Sequence, residues 1–242
     1  MPDISIKNLR VEYINKKQVV TALDGFNATF KSGVINVIVG YSGCGKTTLL
    51  KAIAGLVDYD GQILFDDKDI IKLDVNERNV GFVSQEYVLY TNMTIFDNIA
   101  FPLKMKKLPR DEIIAMVVSL AKEFGIAHCL TRKPKQLSGG QKQRVALVRA
   151  LVKKPDICLL DEPLSNVDEQ RRSEMRAYIK GYLKKNNCTA LYVTHNVAEA
   201  MSLADTLTVI NYGKNEISGE PMAVYNSCNA TVESLIKNSP MI

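Results

Sequence analysis

The apolar positions change period along the chain, and each change marks a new kind of element. Near the N-terminus they alternate. Ile4 and Ile6, then Leu9, Val11 and Tyr13, are separated by polar residues, the pattern of a half-buried strand. A polar turn at 15–17 follows, then two apolar stretches at 19–23 and 26–30 with Asp24-Gly25 between them as a turn signal. Short strands in such close succession pair antiparallel. Residues 34–39 form an unbroken, largely β-branched run, which predicts a strand buried on both faces. Residues 49–54 predict a helix stopped by Gly55. Further strands are expected at 61–65, before the acidic turn Asp66-Asp67, and at 80–84, ending at Gln85.

Beyond Gln85 the spacing becomes helical. Ile95, Ile99 and Leu103, then Ile113, Val117, Leu120 and Phe124, recur every three or four residues. Another helix starts at Ser138 and carries Val145, Leu147, Val148 and Leu151. Strand character returns at 156–162, followed by a long helix from about 168 to 186. A strand at 190–194 ending at His195, a helix at 197–204 and a last core strand at 207–210 complete the pattern. Alternating strands and helices predict an α/β fold with a mostly parallel sheet covered on both faces. The expected organisation is a single domain of 1–242. Its core comprises 1–86 and 155–242, with a helical subdomain inserted at about 87–154.

The stretch with the clearest chemistry joins the buried strand to its helix: Gly40-Tyr41-Ser42-Gly43-Cys44-Gly45-Lys46-Thr47-Thr48. Strand, glycine-rich turn, Lys-Thr and helix is the context a phosphate-binding P-loop needs. The glycines let successive N–H groups point into one concavity, and the helix adds its free N–H groups and dipole. Lys46 is expected on the β- and γ-phosphates, and the Thr47 hydroxyl on Mg2+.

In an open parallel sheet, ligands bind beyond the carboxyl ends of the strands. Three other strands end in polar groups: Gln85, Asp161-Glu162 and His195. Asp161 ends an apolar run and is suited to hold Mg2+ through water, with Glu162 as general base for an attacking water. Gln85 could touch metal and water, and His195 the γ-phosphate. All four strand ends meet in one crevice if the strands are neighbours. Tyr13 is a candidate to stack on adenine. Ser138-Gly139-Gly140-Gln141 offers a second phosphate-binding helix tip, with Ser138 as N-cap and no lysine of its own. Two half-sites on different faces are completed by a head-to-tail pair about a two-fold axis.

The totals narrow the class. Hydrophobic residues make up 46% and charged residues 24%, ordinary values for a globular chain. No apolar run reaches eighteen residues, and the first five residues lack the start of a signal peptide. A net charge of +5 is too small to imply nucleic-acid binding. The five cysteines contain no C-x-x-C pair, which favours reduced thiols over disulfides or zinc. Cys44, at a helix start beside a lysine, is expected to have a lowered thiol pKa.

In their order and spacing, the P-loop, Gln85, Leu137-Ser138-Gly139-Gly140-Gln141, Asp161-Glu162, Asp168 and His195 resemble the ATP-binding subunits of ABC transporters. The resemblance covers essentially the whole chain. It implies a RecA-like P-loop core, an antiparallel β-subdomain, a helical subdomain and an ATP-sandwich dimer, either of two copies or with a related subunit. It implies ATP and Mg2+ as ligands and integral membrane permease subunits as partners. It also implies an extracytoplasmic binding protein as an indirect partner, no nucleic acid, and a place at the cytoplasmic face of the membrane. By the same resemblance Tyr13 stacks on adenine, Gln85 senses metal and membrane partner, and Asp168 couples the two sites. Residues 85–103 look like those of importer subunits, especially for sugars. The tail resembles the junction at which sugar-type subunits continue into a β-rich regulatory domain, and this sequence ends there. The loop before Asp168 reads Ser165-Asn166-Val167 where the family usually has Ala-Leu, a departure that touches dimer coupling. Soluble ABC ATPases of repair or translation usually carry a coiled-coil insertion, a zinc hook or tandem cassettes, and this sequence has none. A non-hydrolysing nucleotide-gated module fits poorly with Glu162 and His195 both in place.

Overall fold

The computed structural model describes residues 1–15, 18–165 and 169–237. Two sheets organise it. The smaller is antiparallel, with β1 (Ile4–Asn15), β2 (Gln18–Phe30), β4 (Asp60–Phe65) and β5 (Lys68–Asp69) in the order β2-β1-β4-β5. The larger is built on β3 (Ile35–Val39), β6 (Val80–Val83), β7 (Ile157–Asp161), β8 (Thr189–Thr194), β9 (Thr206–Asn211) and β10 (Lys214–Gly219). Its order is β10-β9-β3-β8-β7-β6. The pairs β9-β3, β3-β8, β8-β7 and β7-β6 are all parallel.

Period two explains the layering. From β3, Ile35, Val37 and Val39 face one side, together with Cys158, Leu160, Ala190, Tyr192 and Val209. That side is covered by α4 (Gly139–Leu151), α5 (Glu169–Lys185) and α6 (Val197–Leu203), through residues such as Val145, Ile179 and Leu203. Ile38, Leu159, Leu191, Val193 and Ile210 face the other side. There they meet α1 (Lys46–Ala54) and the apolar face of the small sheet, Ile4, Ile6, Leu9, Phe26 and Ile63. Every residue of β3, β7 and β8 is buried, which is why these strands read as continuous apolar runs.

Between β6 and β7 lie α2 (Ile95–Met105), α3 (Arg110–Glu123) and α4, with two short 3-10 turns. The α2 start is capped by Thr94 Oγ1, which accepts from Asp97 N at 3.0 Å. Buried Asn98 then ties down the preceding loop, its amide bonded to both backbone groups of Tyr90.

Two expectations are corrected. Residues 19–30 form one strand, not two with a turn at Asp24-Gly25. Register shifts against β1 absorb extra residues there, so the pair bends instead of reversing. The strand at 207–210 is not the last one. The edge strand β10 pairs antiparallel with β9, and its half-exposed, polar sequence hid it. Two short helices, α7 (Pro221–Tyr225) and α8 (Ala230–Lys237), close the described chain. Among the described residues no helix is long and apolar enough to cross a membrane.

Candidate active site

The strand order decides the site. β3, β8, β7 and β6 lie side by side, so their carboxyl ends bring the P-loop, His195, Asp161-Glu162 and Gln85 to one edge. A crevice of about 330 Å³ opens there, and among its lining residues are Lys46, Thr47, Gln85, Glu162 and His195.

The P-loop conformation depends on its glycines. Gly45 has φ +106°, and a Cβ there would stand 2.6 Å from the Ala22 carbonyl oxygen. At Gly40 a Cβ would meet the Ile210 carbonyl oxygen at 2.3 Å, so only glycine lets the loop pass this close to β9. α1 begins at Gly45 without a side-chain cap and without acidic residues in its first turn. Its leading N–H groups have no side-chain cap and are available to an anion. Lys46 is buried, and its Nζ donates to the Gly40 and Tyr41 carbonyl oxygens at 2.8 Å each. Tyr13 is partly exposed, and its hydroxyl lies 3.3 Å from Thr48 Oγ1 at the start of α1.

Thr47 Oγ1 donates to Asp161 Oδ1 at 3.0 Å. Burial pushes the Asp161 carboxyl up, opposed by the Thr47 hydrogen bond, and the Glu162 charge raises it further. A hydroxyl beside a buried carboxylate, with Gln85 at the next strand end, is a hard-oxygen donor set that suits Mg2+. A cation there would offset the cost of burying the charge. No cluster of three or more His, Cys, Asp or Glu able to hold a metal occurs among the described residues.

Glu162 sits at φ +45°, a left-handed conformation that costs a side-chain-bearing residue on the order of 1–3 kcal/mol. Surrounding groups hold it there. Its N–H donates to Val193 O at 3.0 Å, and its carbonyl accepts from Ser165 N at 3.2 Å and Ser165 Oγ at 3.1 Å. Its carboxylate is flanked on both sides: His195 Nδ1 lies 3.1 Å from Oε1, and Gln85 Nε2 donates to Oε2 at 3.3 Å.

Sequence reasoning missed the supports behind this turn. Tyr87 donates through its hydroxyl to Pro163 O at 2.9 Å. Gln143, buried on α4, donates to the same carbonyl and, at 3.3 Å, to Tyr87 Oη. Gln143 lies two residues beyond the Leu-Ser-Gly-Gly-Gln motif, so helical spacing was the one available signal. At the N-terminus of α4, Ser138 caps the helix by accepting from Gln141 N at 3.3 Å, and Gln141 Oε1 accepts from Ser138 N at 3.1 Å. A Cβ at Gly139 or Gly140 would meet nothing within 4 Å, so this tip is open to a partner. Ser138, Gly139 and Gly140 do not line the P-loop crevice. Asp168 lies outside the described residues.

The expectation for Cys44 is overturned. Burial pushes its thiol up. Lys46, whose Nζ stands 3.8 Å from Sγ, pulls the other way and loses. A thiol so placed carries little thiolate near neutral pH. Iodoacetamide is therefore expected to modify exposed Cys228 well before Cys44, as read by peptide mass. Equal labelling of the two would contradict the burial argument.

A six-stranded, mainly parallel sheet with a glycine loop, Lys-Thr and an acidic pair at the carboxyl ends of its strands defines a P-loop nucleotide-binding domain. The chain belongs to the ABC transporter family, whose model matches residues 23–165. It is 44% identical over 230 residues, 92% of this chain, to the trehalose/maltose import ATP-binding protein MalK of Thermococcus litoralis. It is 42% identical over 99% of its length to the sn-glycerol-3-phosphate import ATP-binding protein UgpC of Psychromonas ingrahamii. The chain spans 62% and 64% of the length of these two relatives. Among solved structures it superposes on the ATP-binding cassette MJ0796, in a dimeric post-hydrolysis state bound to ADP and Pi. The TM-score is 0.83 at 28% identity, over 90% of this chain and 98% of that one. The fold is thus that of ABC ATPase cassettes.

Proposed function

We propose that this chain is the ATP-hydrolysing subunit of an ABC importer. The observation that carries the reading is the convergence of Lys46, Thr47, Gln85, Glu162 and His195 around one crevice at four adjacent strand ends.

In this reading the P-loop backbone from Gly40 to Thr48, including Tyr41, Ser42, Gly43 and Cys44, wraps the phosphates, and Tyr13 stacks on the adenine. Lys46 leaves its two loop carbonyls for the β- and γ-phosphate oxygens. Thr47, Asp161 and Gln85 would hold Mg2+, which when bound neutralises charge on the phosphates. Glu162 takes a proton from the attacking water, and His195 donates to the γ-phosphate. The Gln85 hydrogen bond and the close His195 contact hold the Glu162 carboxylate between them.

The Ser138-Gly139-Gly140-Gln141 tip completes the site of a second protomer, a homodimer mate or a related subunit, with Asp168 near the junction. The open space around both glycines and the dimeric state of the related cassette support this. Residues 87–154 act as a helical subdomain that swings this tip. Val88, Tyr90 and Met105 are exposed apolar residues of this block, available to a helix of a membrane permease subunit. Arg149 stiffens the segment at Val88 and Tyr90, with its guanidinium 5.4 Å from the Tyr90 ring centre and donating to Val88 O at 2.7 Å. An extracytoplasmic binding protein would act through that permease, and the chain would sit at the cytoplasmic face of the membrane. The importer direction is supported by the names of the relatives. The cargo is set by other chains.

The test is Ser138→Arg. The bulky cation at the exposed tip is expected to leave single-protomer nucleotide binding within about twofold. ATP-dependent dimerisation in gel filtration should disappear, with a loss of turnover on the order of a hundredfold. Full turnover in this variant would overturn the shared-site reading.

A further inference from the structure

His195 is held in place by its neighbours more than by its own ring. The imidazole side chain is 57% exposed, and Glu162 Oε1 is the polar group beside it. The backbone behind it is pinned on both sides. Thr194 Oγ1 donates to Glu199 Oε2 at 2.8 Å and accepts from Asn196 N at 3.0 Å. Asn196 Oδ1 accepts from Glu199 N at 2.9 Å. Tyr192 donates its hydroxyl to the other Glu199 oxygen, Oε1. Glu199, Tyr192 and Thr194 are all buried. A small cavity of about 40 Å³ lies in front of Glu199, and its walls include Glu162, His195 and Arg172.

A plain helix-capping role does not account for this geometry. Asn196 and Glu199 stand at the N-cap and third positions of α6. A capping-box glutamate reaches back to the N-cap N–H from the surface. Here that N–H goes to Thr194 Oγ1 instead, and the Glu199 carboxylate turns inward to two hydroxyls. Burying a carboxylate costs several kcal/mol unless it is fully hydrogen-bonded, and both oxygens are satisfied by residues on the strand that delivers His195.

We propose that Glu199 is the positioning residue for His195. Through Thr194 and Asn196 it fixes the peptides on either side of the histidine, so that the exposed ring is delivered at one angle beside Glu162. This rests on the reading of His195 as the γ-phosphate donor. Without the lock the ring is displaced, and misplacement by about 1 Å costs up to about a hundredfold in rate.

The experiment measures ATP turnover and nucleotide affinity of the full chain with its partners, for Glu199→Gln, His195→Ala, the double variant and Thr194→Val. Glu199→Gln is expected to lower kcat by about tenfold or more, with the KM for ATP and the affinity for a fluorescent ATP analogue within twofold of the parent. In the His195→Ala background the same change should cost less than twofold, because there is no ring left to position. Thr194→Val keeps the side-chain shape and breaks the same lock, so it should reproduce the kcat loss and carries the comparison if Glu199→Gln fails to fold. An equal loss with and without His195, or unchanged kcat in the folded single variants, would overturn the proposal. Normal turnover in His195→Ala would instead bring down the underlying assignment of His195.

Discussion

Glu162→Gln is expected to stop turnover while leaving ATP bound. The substitution keeps the side-chain length and an acceptor for Gln85, and the backbone bonds that pin the turn at φ +45° do not involve the carboxylate. What is lost is the proton acceptor. General-base catalysis contributes roughly 10²–10⁴-fold, so kcat should fall by about that factor. Equilibrium binding of ATP should remain within a few-fold. Since binding persists and hydrolysis does not reopen the pair, the variant should elute as an ATP-dependent dimer in gel filtration. Parental kcat in Glu162→Gln would remove this residue from the reaction.

Lys46→Ala should act one step earlier, at binding. Charge-assisted hydrogen bonds to phosphate are worth about 1.5–3 kcal/mol, so nucleotide affinity is expected to fall roughly ten- to a hundredfold. The ammonium also donates to Gly40 O and Tyr41 O. Its removal should therefore cost about 1 kcal/mol of folding stability, visible as a lower urea midpoint without nucleotide. Calorimetric titration with ATP checks the first effect and urea unfolding the second. An affinity equal to that of the parent would mean that Lys46 does not leave its loop for the phosphates.

Much of this site is local in sequence, and that part was legible. The P-loop declares itself because strand, glycine turn and helix are consecutive, and the residue types at 40–48 have few other reasons to occur together. The Ser138 cap follows from the same local logic. What needed the structure is long-range. Residue spacing cannot say that β8 lies between β3 and β7, yet that order turns four separate strand ends into one crevice. Cys44 shows the same limit. Sequence places it beside Lys46 but says nothing about depth, and depth decides its thiol chemistry. Glu199 reads as an ordinary first-turn acid, and nothing local reveals that it faces Tyr192 and Thr194. The break suggested by Asp24-Gly25 failed because those residues serve as a bulge in a long paired strand.

The short chain of contacts from α4 to Pro163 has a mechanical consequence. Gln143 and Tyr87 grip the carbonyl next door to Glu162 from two different segments, one on α4 and one on the loop leading out of β6. The helical block and the acidic turn are therefore geared together. Under the proposed assignment of Glu162 as the base, a displacement of α4 is passed to the neighbouring residue through Pro163 or breaks that grip.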